Sequence, residues 1–263
     1  MRGIILAGGS GTRLSPLTDV ISKQLLPVYN KPMIYYPLST LMLAGIRDIL
    51  LISTPRDLPM FKSLLGDGSK FGISICYETQ DKPNGIGEAL IIGERFLDRQ
   101  KCALILGDNL LYGPGLGRDL INRIGDTGAT VLVHHVSNPK DFGVIEFDSN
   151  EYPVRIIEKP QNTESNWAIP GLYFYDESAS TRAKNLKPSS RGEREISDLN
   201  SDYLRDGKLK VIKMPRGTAW LDLGTPDSLL EAGKFIQIIE ERQGLEVGNP
   251  KNVAEVMGFL QSK

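Results

Sequence analysis

The sequence predicts an α/β fold: a mixed, mostly parallel central sheet with helices on both faces, and a smaller antiparallel part in the second half. Three observations predict it. Short, continuously apolar runs alternate with helical patterns through the first half of the chain, the order that builds a parallel sheet covered on both faces. A glycine-rich turn follows the first of those runs. Beyond residue 128 the strand-like runs crowd together around turn signals such as Asp148-Ser149-Asn150, which favours antiparallel pairing.

The elements follow in order. Gly3-Ile4-Ile5-Leu6 is a buried strand, and residues 22–28 are short and irregular. Pro32 stands where a helix can start. Met33, Ile34, Leu38, Leu41 and Met42 then recur at helical spacing up to a stop at Gly45. Residues 48–53 form the next strand, roughly 57–65 a helix ending at Gly66, and 71–78 a third strand. A loop over 80–87 leads into a helix over 88–97, and 102–106 is a strand ending in Gly107-Asp108-Asn109. Strands are expected at 129–136, 142–147, 154–160 and 167–175. Residues 189–206 are loop then helix, and 209–214 an edge strand. Thr225 as cap and Pro226 at the first position open a long helix to Gln243, and one short helix is expected beyond Asn249.

Composition narrows the function. The 263 residues are 40% hydrophobic and 24% charged, as in an ordinary globular protein, and suffice for one large domain or two small ones. The net charge of −1 offers nothing to nucleic acid or an anionic membrane. No apolar run is long enough to span a bilayer, and no signal peptide is expected ahead of the first strand. Cys76 and Cys102 lie in apolar strands without metal-ligand spacing, as buried free thiols of a cytoplasmic protein do. His134 and His135 are adjacent on a strand, face opposite ways and are expected to be structural.

The chemistry concentrates in a few places. Gly8, Gly9 and Gly11 let the first loop bend sharply and bring backbone N–H groups to a phosphate, and Arg13 adds a forked cation. Neither the dinucleotide fingerprint nor the P-loop pattern fits, and a plain strand-to-helix turn is the other reading. Lys23 follows closely enough to act with Arg13 on one polyphosphate. Asp108, after a buried strand, is placed to hold Mg²⁺; the alternative is that it caps a helix near Pro114. Asp222 lies between an apolar turn and a helix, where Thr225 already fills the capping role. The two aspartates could hold one metal across a cleft. Lys159, in Glu158-Lys159-Pro160, could meet a phosphate or a sugar hydroxyl, or be a solvated edge. No Ser/His/Asp or Cys/His arrangement stands out. Together these features describe metal-assisted attack on a nucleoside triphosphate.

Eight stretches then carry a family likeness: Leu6-Ala7-Gly8-Gly9-Ser10-Gly11-Thr12-Arg13-Leu14, Ser22-Lys23-Gln24-Leu25-Leu26-Pro27, Lys31-Pro32-Met33-Ile34-Tyr35-Tyr36-Pro37-Leu38, Leu106-Gly107-Asp108-Asn109, Phe142-Gly143-Val144, Glu158-Lys159-Pro160, Gly171-Leu172-Tyr173-Phe174-Tyr175-Asp176 and Ala219-Trp220-Leu221-Asp222. In this order, to about Gln243, the chain resembles the short-form glucose-1-phosphate thymidylyltransferases of the sugar nucleotidyltransferase superfamily. The resemblance implies a Rossmann-like domain over 1–243, with nucleotide bound by about 1–128 and sugar phosphate by about 129–224. It implies transfer of a thymidylyl group from dTTP to glucose 1-phosphate with Mg²⁺ on Asp108 and Asp222, in a homo-oligomer, dimer or tetramer. It assigns catalytic roles to Arg13, Lys23, Asp108 and Asp222. Leu6, Gly8, Gly9, Ser10, Gly11, Thr12, Arg13 and Pro83 are implied to hold the nucleotide, with Gln24, Gln80 and Gly85 at the base. Asn109, Gly143, Glu158, Lys159 and Gly171 are implied to form the sugar-phosphate pocket, Lys159 on the phosphate.

Two departures stand out. After Gly85 the family usually reads Leu-Ala-Gln, whereas this chain has Ile86-Gly87-Glu88, which changes hydrogen bonding beside the base and leaves UTP, CTP or another hexose phosphate as alternative substrates. The tail over 244–263 is shorter than usual, which leaves a regulatory nucleotide site and a tetramer outside what the resemblance carries. A non-catalytic sugar-nucleotide-binding regulator is the remaining alternative, and no lost catalytic position asks for it.

Overall fold

The computed structural model describes residues 1–9 and 11–260. A ten-stranded sheet dominates it. Arg2–Ala7 is third from the parallel edge, paired in parallel with Asp48–Ser53 on one side and Cys102–Leu106 on the other, and Ser74–Thr79 forms that edge. Leu172–Tyr175 then runs antiparallel to both Cys102–Leu106 and Ala129–His135. Leu209–Lys213 pairs in parallel with Ala129–His135. Trp167–Ala168, Gly143–Phe147 and Pro153–Glu158 complete the antiparallel end.

Strand alternation sorts the core onto two faces. Ile5, Leu51 and Ile105 pack with the helices Tyr35–Leu43, Leu58–Leu65 and Pro250–Val256. Ile4, Leu50 and Leu104 face the other way, against Ala89, Leu90, Ala183, Leu199 and Tyr203. Because both faces are covered, these central strands carry no polar alternation. A third cluster, with Val28, Met33, Tyr36, Leu110, Leu223, Ala232 and Ile236, fastens the helix Pro226–Gln243 to the body. Thr225 caps that helix as expected: its hydroxyl accepts from Ser228 N at 3.2 Å, and Ser228 Oγ accepts from Thr225 N at 3.0 Å.

Several expectations are corrected. Pro32 belongs to a two-residue hairpin strand pairing Pro27–Val28 with Lys31–Pro32, and the helix begins at Tyr35. The 88–97 helix is two pieces, Glu88–Ile92 and Glu94–Leu97, separated at Gly93, where a Cβ would lie 2.7 Å from Ile4 Cδ1. The 167–175 strand is interrupted at Pro170, which has no N–H to give to a ladder. The helix Ala179–Asn185 and the pair Asn109–Tyr112 with Ala219–Asp222 were not anticipated. Cys102 is buried in the middle of the sheet, but Cys76 is exposed, because its strand is the edge strand of the parallel half. No helix among the described residues is long and apolar enough to cross a membrane.

Candidate active site

The ends of the strands converge on one cleft. Arg13, Asp108, Asn109, Gly143, Glu158, Lys159, Gly171 and Asp222 all line it, around a cavity of about 170 Å³. The unforeseen two-stranded ribbon explains how Asp108 and Asp222 meet. Asp222 pairs opposite Asn109, and Leu223 N donates to Asp108 O at 3.1 Å. Asp108 therefore caps no helix: the helix Arg118–Ile121 starts after Gly117, and the Asp108 carboxylate is bonded to Lys23 Nζ and accepts from Asn109 Nδ2 at 3.1 Å.

The two carboxylates live in different electrostatic settings. Burial works to raise the Asp108 carboxyl, but the Lys23 charge and hydrogen bond override it and hold the group below its ordinary range. Burial raises Asp222, the Asp108 charge raises it further, and it stands at about 6 despite Lys23 and Arg13. Arg13 and this carboxylate both flank Gly224, where a Cβ would lie 2.6 Å from Arg13 Nη2 and 3.3 Å from Asp222 Oδ2.

The sugar-side residues are held from behind. Asn109 Oδ1 accepts from Gly171 N at 2.9 Å and from Trp220 Nε1 at 2.7 Å. A Cβ at Gly171 would meet Asn109 Nδ2 at 2.9 Å, so glycine is required there for the close approach. Ser197 donates to Glu158 Oε2. Lys159 takes a positive φ of 44°, is fixed by its N–H to Phe142 O at 3.0 Å, and is exposed at the rim.

The nucleotide-side residues form a second group. Leu6 lies one residue before the end of its strand, and Gly8 packs against Gln80, with a Cβ there 2.9 Å from Gln80 Oε1. Gly9 lies beside Lys23, and Gly11 takes a φ of 64° while Thr18 Oγ1 donates to its carbonyl at 2.8 Å. Thr12 is exposed, and Ser10 lies outside the described residues. Gln24 is buried beneath Gly107, its Oε1 accepting from Ser22 Oγ at 2.6 Å. Pro83 is exposed in the loop before Gly85. That loop is clamped by Arg194: Arg194 N donates to Asn84 O at 2.7 Å, and Gly87 N to Arg194 O at 3.0 Å. The Glu88 carboxylate accepts from Gln80 Nε2 at 2.7 Å and from Asn84 Nδ2 at 2.8 Å.

Sequence reasoning missed Asp141, Ser197, Trp220 and Gly224 as site residues, and the Arg194 clamp. Two of them left a signal: Trp220 stands in the quoted stretch Ala219-Trp220-Leu221-Asp222, and Gly224 is a glycine between a singled-out carboxylate and a helix cap. His134, expected to be structural, lies with Nε2 3.1 Å from Thr218 O and edge-on to Trp220.

The pattern describing nucleotidyl transferases matches residues 2–238. This chain belongs to the nucleotidyl transferase family. A glucose-1-phosphate thymidylyltransferase from Neisseria meningitidis is 55% identical over 264 residues, covering 100% of this chain and 92% of its own length. The protein of that name from Mycolicibacterium smegmatis is 54% identical over 99% of this chain and 90% of itself. A Bacillus anthracis crystal structure assigned to the same activity, in complex with a sucrose, superposes with a TM-score of 0.83 at 40% identity, covering 89% of this chain and 94% of that one. UDP-glucose pyrophosphorylase complexed with UDP-glucose shares the fold, with a TM-score of 0.80 at 21% identity, over 90% of this chain and 98% of that one.

As a nucleotidyl transferase, the chain presents a cleft suited to a divalent metal. Asp108 and Asp222 are close enough for one to raise the other, so their charges favour a cation between them. Among the described residues no three His, Cys, Asp or Glu side chains cluster as a metal site. A pair of carboxylates alone suits a hard ion that keeps waters and takes the rest of its ligands from substrate phosphates.

Proposed function

We propose that this chain transfers a thymidylyl group from dTTP to α-D-glucose 1-phosphate, giving dTDP-glucose and pyrophosphate. The observation that carries the reading is the meeting of Asp108, Asp222 and Arg13 in one cleft, with Lys23 bonded to Asp108, in a chain whose full-length relatives bear that activity's name. An oxygen of the sugar phosphate attacks the α-phosphorus in line. A P–O bond forms, the α–β bridge breaks, and its electrons leave with pyrophosphate. No protein nucleophile is called for, so catalysis is positioning and charge neutralisation.

The residues divide the work. The loop from Gly8 to Arg13 holds the triphosphate, and Arg13 takes up charge as pyrophosphate departs. Lys23 neutralises the phosphates near the attacked phosphorus. Lys159 binds the sugar's phosphate, while Asn109, Gly143, Glu158 and Gly171 hold the sugar. Leu6 and Pro83 contribute to the nucleotide site, and Gln24, Gln80 and Gly85 border the base. Asp108 and Asp222 would hold Mg²⁺, which supplies positive charge at the reacting phosphate. By this reading nucleotide binds mainly to about 1–128 and sugar phosphate to about 129–224. A homo-oligomer, dimer or tetramer, in the cytoplasm is part of the proposal; exposed Leu230, Ile238, Leu245 and Val256 near the C-terminus support the first, and two unpaired cysteines the second.

Single substitutions test the roles. Asp108→Asn and Asp222→Asn are expected to abolish pyrophosphate release while the protein stays folded; turnover retained in both removes the metal assignment. Lys159→Ala is expected to raise KM for glucose 1-phosphate and leave KM for dTTP near its original value.

A further inference from the structure

One wall of the cleft is made by the helix Ile196–Arg205, which lies against the strand Pro153–Glu158. Ile196, Ser197 and Asn200 are spaced to share one helix face, and all three line the cavity. Ser197 already donates to Glu158. Asn200 is 1% exposed and has one protein partner: its Oδ1 accepts from the Tyr175 hydroxyl at 2.7 Å. The direction of that bond follows from burial. Tyr175 is 2% exposed and stacks on both Tyr173 and Tyr203, and burial keeps its hydroxyl protonated far above the ordinary range. No other described group accepts the hydroxyl hydrogen. Turning the Asn200 amide over would leave that buried donor without an acceptor. The Asn200 NH₂ group is therefore left over, and no described residue accepts from it. The described side-chain polar atoms sealed from solvent without a partner are Ser39 Oγ, His134 Nδ1 and Arg194 Nε; the Asn200 nitrogen is not one of them and opens on the cavity.

We infer that Asn200 is a specificity-determining residue of the sugar pocket: its NH₂ group, aimed by Tyr175, donates a hydrogen bond to a hydroxyl oxygen of the hexose. This rests on the proposed reading that the cleft takes glucose 1-phosphate. Asn109, in the same cleft, has its oxygen taken by Gly171 N and Trp220 Nε1 and its NH₂ group engaged with Asp108. The Glu158 carboxylate only accepts. Asn200 adds an uncharged donor of fixed direction. A hydroxyl both donates and accepts, so Glu158 and Asn200 together suit a polyol better than either alone. A sugar lacking the matching hydroxyl leaves the Asn200 nitrogen buried and unpaired, the condition under which a polar site rejects an analogue most strongly. Tyr175 does not line the cavity and acts through Asn200 as a positioning residue.

The test measures kcat/KM for glucose 1-phosphate and its 2-, 3-, 4- and 6-deoxy analogues at saturating dTTP. In the wild type at least one analogue is expected to lose about tenfold or more. Asn200→Ala is expected to lose a similar factor with glucose 1-phosphate, with KM for dTTP unchanged, and to lose nothing further with that same analogue. A wild-type-to-variant ratio that is the same for all five substrates marks a structural effect and overturns the inference. Tyr175→Phe frees the amide to turn. It is expected to raise KM for glucose 1-phosphate severalfold in the wild-type background and to add nothing in Asn200→Ala; additive losses contradict the positioning role. A third measurement needs no variant. In nitrogen-15 spectra of the wild type, the Asn200 carboxamide signal is expected to shift on binding dTDP-glucose and to stay in place with dTDP; a signal unmoved by bound dTDP-glucose overturns the inference. Wild-type protein that releases no pyrophosphate from dTTP and glucose 1-phosphate overturns the proposed function instead.

Discussion

Asp222 shares its cleft with a like charge and sits at about 6, while Asp108, bonded to Lys23, is already ionised well below that. A proton and a metal ion compete for Asp222, so the magnesium concentration needed for half-maximal rate is expected to rise as pH falls below about 6. Rate measured against magnesium at several pH values checks this. Stability has its own sign. The folded group keeps its proton up to a pH where the unfolded group, near 3.8, has lost it. The Asp222 contribution to stability therefore declines as pH rises from about 4 to about 6, and Asp222→Asn is expected to melt no lower than wild type at neutral pH. Gly224 offers a sharper contrast. An added methyl would press on the far end of the Arg13 side chain, which can move aside without disturbing the core. Gly224→Ala is expected to cut turnover by about ten- to a hundredfold with little change in melting temperature.

The elements around the cleft depend on contacts distant from it. Lys31 in the small hairpin pairs with Glu240 of the helix Pro226–Gln243 at 2.6 Å, with both side chains largely buried. Burial works to raise the Glu240 carboxyl, but hydrogen bonds from Lys31, Val247 N and Asn30 hold it below its ordinary 4.5. Its contribution is then full above pH about 4.5 and is lost as the pH falls through the lowered value. Lys31→Met is expected to cost about 3 kcal/mol in urea unfolding at neutral pH, and Glu240→Gln is expected to flatten the acid limb of stability. Long elements were legible because their signals are local. Thr225 and Pro226 announced the C-terminal helix, and continuous apolar runs announced the parallel strands. The ribbon from Ala219 to Asp222 was not legible, since a four-residue strand pairs with a partner more than a hundred residues away and leaves no period of its own. The break at Pro170 needed the fold as well, because Gly171 N turns aside to Asn109.

At the scale of the whole molecule, the parallel half carries the glycine loop and the base-side residues, and the antiparallel half carries Gly143, Glu158 and Lys159. The sequence showed which residues have the right chemistry. That Asp108 and Asp222 share a cleft depended on chain crossings that spacing does not encode. Arg194 joins the halves, and Gly85, with a φ of 101° and a Cβ that would lie 2.5 Å from Arg194 O, has no room for another residue. Gly85→Ala is expected to weaken nucleotide binding by about tenfold or more through strain at this junction, read as a rise in nucleotide KM. The most direct test of the central claim is pyrophosphate release with Mg²⁺ and glucose 1-phosphate, supplied in turn with dTTP, UTP, CTP and ATP. The account predicts release that is strongest with dTTP and next strongest with UTP. Silence with all four nucleotides, or a preference for CTP or ATP, contradicts it.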